Sequence, residues 1–164
     1  MPTARQIIEI LELEPHPIEG GFFRETYRSR QTLDAGGPRG ARSIGTAIYF
    51  LLTPETFSEM HRLPTDEIFH LYLGGPARML QLFPDGGFEQ FVIGADLDKG
   101  ERPQIVVPAG VWQGTMLEPG VELVLLGATM APGFDYQDYV QGQRGELIDA
   151  YPAQADLITQ LTRI

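Results

Sequence analysis

Cysteine is absent from the 164 residues, which excludes disulfides, thiol nucleophiles and thiolate metal sites. Histidine is scarce, with three in the chain, so a metal site would have to be built from few imidazoles and from carboxylates. Basic charge is also short. Twelve Lys and Arg face 22 Asp and Glu, and the formal net charge of -10 repels phosphate backbones and anionic lipid, so no nucleic-acid or membrane partner is expected. No run approaches the ~20 apolar residues of a membrane span. The opening MPTARQIIEILEL lacks the apolar core and small-residue cleavage site of a secretory leader, which points to a cytoplasmic protein.

What is present is hydrophobic content of 43%, enough for one domain over residues 1–164 with a core and a ligand-sized cavity. Thr3 and Gln6 form a capping-box pattern, and Ile7, Ile8, Leu11 and Leu13 give the apolar face of a short helix that Pro15 ends. Beyond it, to about residue 149, Val, Ile, Phe, Tyr and Thr runs alternate with Gly and Pro punctuation, so the middle reads as all-β. Eight strands are predicted: 22–28, 43–52, 68–73, 77–83, 89–93, 104–107, 114–117 and 122–130. They suit a sandwich or barrel. Pro84-Asp85-Gly86-Gly87 and Glu118-Pro119-Gly120 read as hairpin turns, residues 32–40 as a mobile loop, and residues 152–161 as a closing helix.

The most informative segment is HRLPTDEIFHLYLG, residues 61–74, which sets His61 and Glu67 six residues apart at the mouth of an expected β-hairpin. Glu67 shares its strand face with the apolar Phe69, Leu71 and Leu73 at period two, so a carboxylate points where the core points. Such a group must be paired, hold something cationic, or keep a proton for chemistry. Pairing with Arg24 or Arg62 and a ligand role are both open readings. PAGVWQ, residues 108–113, places Gln113 inward and Trp112 outward if the strand alternates. Arg24, on an early strand where only one of Arg24 and Glu25 can face inward, suits recognition of a carboxylate or phosphate. Tyr49 reads equally as a packed aromatic or a binding group. His70 has the opposite parity to Glu67 and stands as a secondary candidate, while His16, between two prolines, reads as a surface turn.

These motifs resemble in outline the two motifs of the cupin superfamily, with His61, Glu67, Gly74, Pro108 and Gly110 in place. Leu63 and Gln113 stand where that pattern has imidazoles, and Glu55 where it opens with Gly. A set of His61, Glu67 and an amide oxygen is too weak for tight binding of a transition metal, so no metal cofactor is expected and a metal-dependent dioxygenase is disfavoured. EGGFFRETYRS, TAIYFLL, FSEMHRLPTDEIFHLYLGGP, PAGVWQ and APGFDY, in that order, are similar to the small cupin family DUF985, also called cupin 5. The resemblance implies a double-stranded β-helix, or jelly-roll barrel, with short terminal helices, a homodimer, a pocket inside the barrel and no firmly established reaction. The expected occupant is a small polar metabolite. His61 and Glu67 would act as catalytic acid–base groups, and Gln113, Arg24, Tyr49 and His70 as binding groups, in sugar isomerase or epimerase chemistry by analogy of fold. The alternative is a non-catalytic protein that holds a metabolite or nucleobase with the same groups.

Overall fold

The computed structural model describes residues 1–163. Helix α1 (Ala4–Leu11) begins at the expected capping box: Thr3 accepts from the Gln6 backbone N–H, and the Gln6 side chain accepts from that of Thr3. It stops short of Pro15, at a left-handed Glu12. Thirteen strands follow among the described residues, then two short helices.

Six strands form one sheet in the order β1 (Glu14–Pro15), β2 (Phe22–Arg28), β5 (Thr46–Leu52), β12 (Val124–Met130), β7 (Glu67–Gly74), β10 (Gln104–Val107). Five form the facing sheet in the order β13 (Val140–Gln141), β6 (Ser58–Arg62), β11 (Trp112–Leu117), β8 (Ala77–Leu82), β9 (Phe88–Ile93). The pairings within both are antiparallel. This is the mostly-β, double-sheet jelly roll that the strand pattern and resemblance implied.

Alternation at period two sorts the side chains. From β5, Phe50 and Leu52 point between the sheets with Phe69, Met79, Ile105, Val107, Leu117, Val124 and Leu126. Leu51 and Tyr49 point the other way, under Ile7 and Leu13 of the N-terminal segment. The outer face of the five-stranded sheet, with Met60, Leu80 and Leu82, is covered by α2 (Arg144–Ala150) and α3 (Ala155–Gln160) through Leu147, Leu157 and Ile158. Trp112 packs on this outer side, with the Arg62 guanidinium 4.6 Å above its ring, as the parity argument required.

Several expectations are corrected. The segment from β6 to β7 is not a hairpin, because the two strands belong to opposite sheets, and the same holds for Glu118-Pro119-Gly120 between β11 and β12. Short links here carry the chain across the sandwich, whereas Pro84-Asp85-Gly86-Gly87 does close the β8–β9 hairpin. β6 was missed because Ser58-Glu59-Met60-His61-Arg62 is mostly polar, although its first four residues are buried. Residues 32–40 are not a plain loop: β3 (Thr32–Asp34) pairs with β4 (Ala41–Ser43). The closing helix is a 3-10 turn at Pro152–Gln154 followed by α3, and α2 precedes it.

Candidate functional site

Two loops bring the motifs together at one end of the sandwich. The Ala109 backbone N–H donates to Asp66 Oδ1 at 2.8 Å, and the Gly110 N–H donates to the Leu63 carbonyl at 2.8 Å. This clasp draws the link between β6 and β7 onto the turn before β11, so His61, Glu67 and Gln113 converge from three strands and two sheets. Gln113 lies opposite His61 in the β11–β6 register.

The three side chains form a buried chain of hydrogen bonds. Gln113 Nε2 lies 2.9 Å from His61 Nε2 and 3.1 Å from Glu67 Oε2, which uses both amide hydrogens. His61 Nδ1 lies 2.7 Å from the Glu59 carbonyl, so an imidazole with its proton on Nδ1 donates to that carbonyl and accepts from Gln113. Tyr139 stacks on the same ring with 4.9 Å between centroids. Gln113 Oε1 is buried without a hydrogen-bond partner among the described residues.

Glu67 is the member of this chain that reaches a cavity of about 370 Å³. Glu67 as a whole is 8% exposed, and no Arg or Lys pairs with it among the described residues. The proposed partners are engaged elsewhere: Arg24 meets Glu12 at 2.6 Å, and Arg62 lies over Trp112. Burial, reinforced by the charge of Glu19 and only partly offset by the Gln113 hydrogen bond, raises the carboxyl from its ordinary range to about 8.

The rest of the cavity is built by residues that sequence reasoning missed. His16, expected on the surface, has a side chain only 4% exposed; its Nδ1 accepts from the Glu19 N–H at 2.9 Å, and its ring lies 4.6 Å from Phe23. Burial lowers its pKa against the pull of Glu19, with His61 lowering it further, so the ring is neutral at pH 7. Glu19 accepts from Ser58 Oγ across to β6. Gly20, at φ 104°, makes this possible, since a Cβ there would sit 2.3 Å from the Phe57 carbonyl oxygen. The glycine pair beside an acid was the available signal, and the flanking prolines of His16 masked it. Glu14, Phe23, Ile48, Leu63, Phe134 and Tyr136 complete much of the wall.

Arg24 does line the cavity, and so does Glu25, against the expectation that only one could; Arg28, which pairs with Glu25, joins them. Tyr49 and His70 require correction as pocket residues. Tyr49 faces outward against the N-terminal segment, 6.0 Å from the Tyr72 ring. His70 also faces outward, between Thr129 Oγ1 at 2.9 Å and Gln104 Nε2 at 3.2 Å. The parity of β5 and β7 dictates both positions.

A metal fits this donor set poorly. Leu63 contributes hydrocarbon to the wall, His61 Nε2 faces the Gln113 amide, and no group of three His, Cys, Asp or Glu side chains among the described residues is arranged to hold an ion.

A double-sheet jelly roll with side chains of these motifs meeting at one end defines a cupin-type barrel. The chain belongs to the family described as Cupin superfamily (DUF985), which it matches over residues 5–141. It is 33% identical to the uncharacterized protein YML079W of Saccharomyces cerevisiae, covering 84% of this chain and 74% of that one. A hypothetical protein from Leishmania major has a similar structure, with TM-score 0.90 and 31% identity over 99% of this chain and 100% of its own. Protein SO0799 from Shewanella oneidensis follows with TM-score 0.89 and 34% identity over 99% of both chains. A Bacillus subtilis oxalate decarboxylase shares the fold alone, at TM-score 0.57 and 15% identity, with 92% of this chain covering 38% of that one. Among the described residues no helix is long and apolar enough to cross a membrane.

Proposed function

We propose that the chain binds a small polar metabolite in the cavity and moves a proton on it, chemistry of the isomerase or epimerase kind, with Glu67 as the acid–base group. The observation that carries this reading is a carboxyl that is buried, unpaired by Arg or Lys among the described residues, turned to a cavity and raised to about 8. A group that exchanges its proton near working pH is suited to both halves of a proton transfer.

His61 takes a different part from the one its motif suggested. Its Nε2 meets Gln113, and His61 does not line the cavity, so it positions Glu67 through the amide. His16 supplies the imidazole of the cavity wall and, being neutral at pH 7 with Nδ1 already accepting from the Glu19 N–H, can donate from Nε2 toward an occupant. A homodimer belongs to the same proposal, supported by Tyr72 and Val106, exposed on the outer face of the six-stranded sheet. Sedimentation measures it directly.

Solvent-deuterium exchange followed by proton NMR tests the reaction without knowledge of the product. Hydroxy-aldehydes, sugars and amino sugars are incubated in heavy water with the protein. Carbon-bound hydrogen should exchange with wild type and slow by ~100-fold or more with Glu67→Gln. Ligand-induced thermal stabilisation with no exchange in any compound would instead leave a binding protein.

A further inference from the structure

The charge lining the cavity specifies the occupant more narrowly. Six of its wall residues are formally charged: Glu14, Glu19, Glu25 and Glu67 against Arg24 and Arg28. Both guanidinium groups are already paired with a carboxylate. Arg28 donates from Nε and Nη2 to the two oxygens of Glu25, at 2.8 and 2.7 Å, and Arg24 donates to Glu12 at 2.6 Å. Glu14, Glu19 and Glu67 are left with no Arg or Lys partner among the described residues. The neutral His16 ring stands near Glu19, its Nε2 3.8 Å from the carboxylate, while the Arg163 guanidinium, which reaches the Glu19 backbone carbonyl, pairs with Glu59. Glu67 is the buried member of this set, turned into the cavity.

A second feature reports the same field. The Tyr136 phenol, whose ring lies 6.2 Å from that of His16, is raised first by burial and then by Glu14, Glu19 and Glu25, so several carboxylates make that point negative as well. Part of the apolar wall is aromatic. Phe134 and Tyr136 meet edge to face at 5.0 Å, and His16 lies 4.6 Å from Phe23 and 6.2 Å from Tyr136. Ring faces beside uncompensated carboxylates attract organic cations through both cation–π and Coulomb terms.

We infer that the cavity selects a small planar organic cation, an amine or amidine, over an anion or sugar phosphate of similar size. This rests on the reading of the cavity as a ligand site. It also reverses the part first expected of Arg24, whose charge is spent on Glu12. A bound cation favours the ionised form of Glu67, so binding releases a proton and tightens as pH rises. The groups that face Glu67 are Glu19 and His16 from the loop before β2 and Gln113 from β11, with His61 behind the amide. Arg24, Glu25 and Arg28 ring the outer wall. Burial lowers the pKa of His16, and wherever the ring is protonated it opposes a cation in the same direction.

Benzamidine and benzoate form a shape-matched pair of opposite charge, and glucose 6-phosphate represents the sugar phosphates. Calorimetric titration of the full chain should show benzamidine binding at least ~10-fold more tightly than benzoate. Its affinity should rise roughly tenfold between pH 6 and 9. Glu19→Gln should weaken benzamidine by several-fold while the protein still melts cooperatively. Tighter binding of benzoate or glucose 6-phosphate, with a response to Glu67→Gln, overturns the cation preference and leaves the ligand site intact. Benzamidine binding indifferent to both Glu19→Gln and Glu67→Gln also overturns it, and failure of all three probes to bind overturns the ligand site with it.

Discussion

The two ends of the sandwich are made from the same strands, yet one is sealed and the other open. Along the inner face of β5, Phe50 and Leu52 pack in hydrocarbon while Thr46 and Ile48 line the cavity. On β7 the change runs from Leu71 and Phe69 to Glu67, on β12 from Val124 and Leu126 to Ala128 and Met130, and on β11 from Leu117 to Thr115 and Gln113. Stability and chemistry are therefore segregated along each strand rather than between strands. The sealed half holds the sheets together, and the open half can bury an awkward carboxyl because the other half has already organised the backbone.

The sharpest test of this division is a pair of truncations on one strand. Phe50→Ala empties a fully buried site and should cost ~3–5 kcal/mol in urea denaturation. Ile48→Ala, two residues away on the same face but beside the cavity, should cost ~1–2 kcal/mol, because its side chain is only partly packed. Equal losses would mean that the open end is as tightly packed as the sealed one. Gly20→Ala should behave like a core mutation although it lies in a loop, since both φ and the Phe57 carbonyl oppose a Cβ; a loss of ~3 kcal/mol is expected. Gly36→Ala, also at positive φ but in open space, should cost ~1 kcal/mol.

Glu67 opposes the same comparison from the other side, because there the native residue is the destabilising one. Its carboxyl binds the proton more tightly in the folded protein, about 8 against an ordinary 4.5. Between those values the unfolded chain has released a proton that the folded chain retains. Stability therefore falls as pH rises through that window and levels off above it. Glu67→Gln removes the loss: the variant should match wild type near pH 4.5 and exceed it on the order of 3 kcal/mol at pH 7. Thermal melts across the window read this directly, and parallel curves for the two proteins would refute the raised carboxyl.

Gln113→Leu should cost ~1–3 kcal/mol by leaving the buried His61 Nε2 without its donor, and should push the Glu67 carboxyl further up, since the Gln113 hydrogen bond is what holds it down. Carboxyl infrared titration separates that shift from a loss of folding.

Strand periodicity was legible in the residues: β2 and β10 fall at their predicted bounds, and Gln113, which meets Glu67, and Trp112 take the predicted sides. The fold class was legible through the strand pattern and the family resemblance, and the convergence of His61, Glu67 and Gln113 through the two motifs that carry that resemblance. Three things were not. Ser58-Glu59-Met60-His61 is a buried strand written largely in polar residues, whose burial depends on partners such as Arg163 for Glu59 and Glu19 for Ser58, distant in sequence. Parity says which side chains point inward but not which end of a strand is open; Tyr49 and His70 fail for a different reason, since their own parity turns them to the outer face. The cavity wall is contributed by loops, and His16 is carried into it by a turn whose geometry depends on Gly20 meeting Phe57, a long-range packing event with no local periodicity.

The smallest expected effect concerns Arg24, and it decides how the open end should be regarded. Its pair with Glu12 is exposed, and such pairs contribute less than ~1 kcal/mol, so Arg24→Gln should leave the melting curve nearly unchanged. A guanidinium that served as an anion receptor would be missed by benzoate once removed. One that merely neutralises Glu12 would, on removal, leave the cavity mouth more negative and benzamidine bound equally or more tightly. Weakened benzamidine binding by Arg24→Gln would show that the positive rim, rather than the carboxylates behind it, organises the site. The division between a sealed hydrocarbon end and an acidic open end would then have to be redrawn around the two arginines of β2.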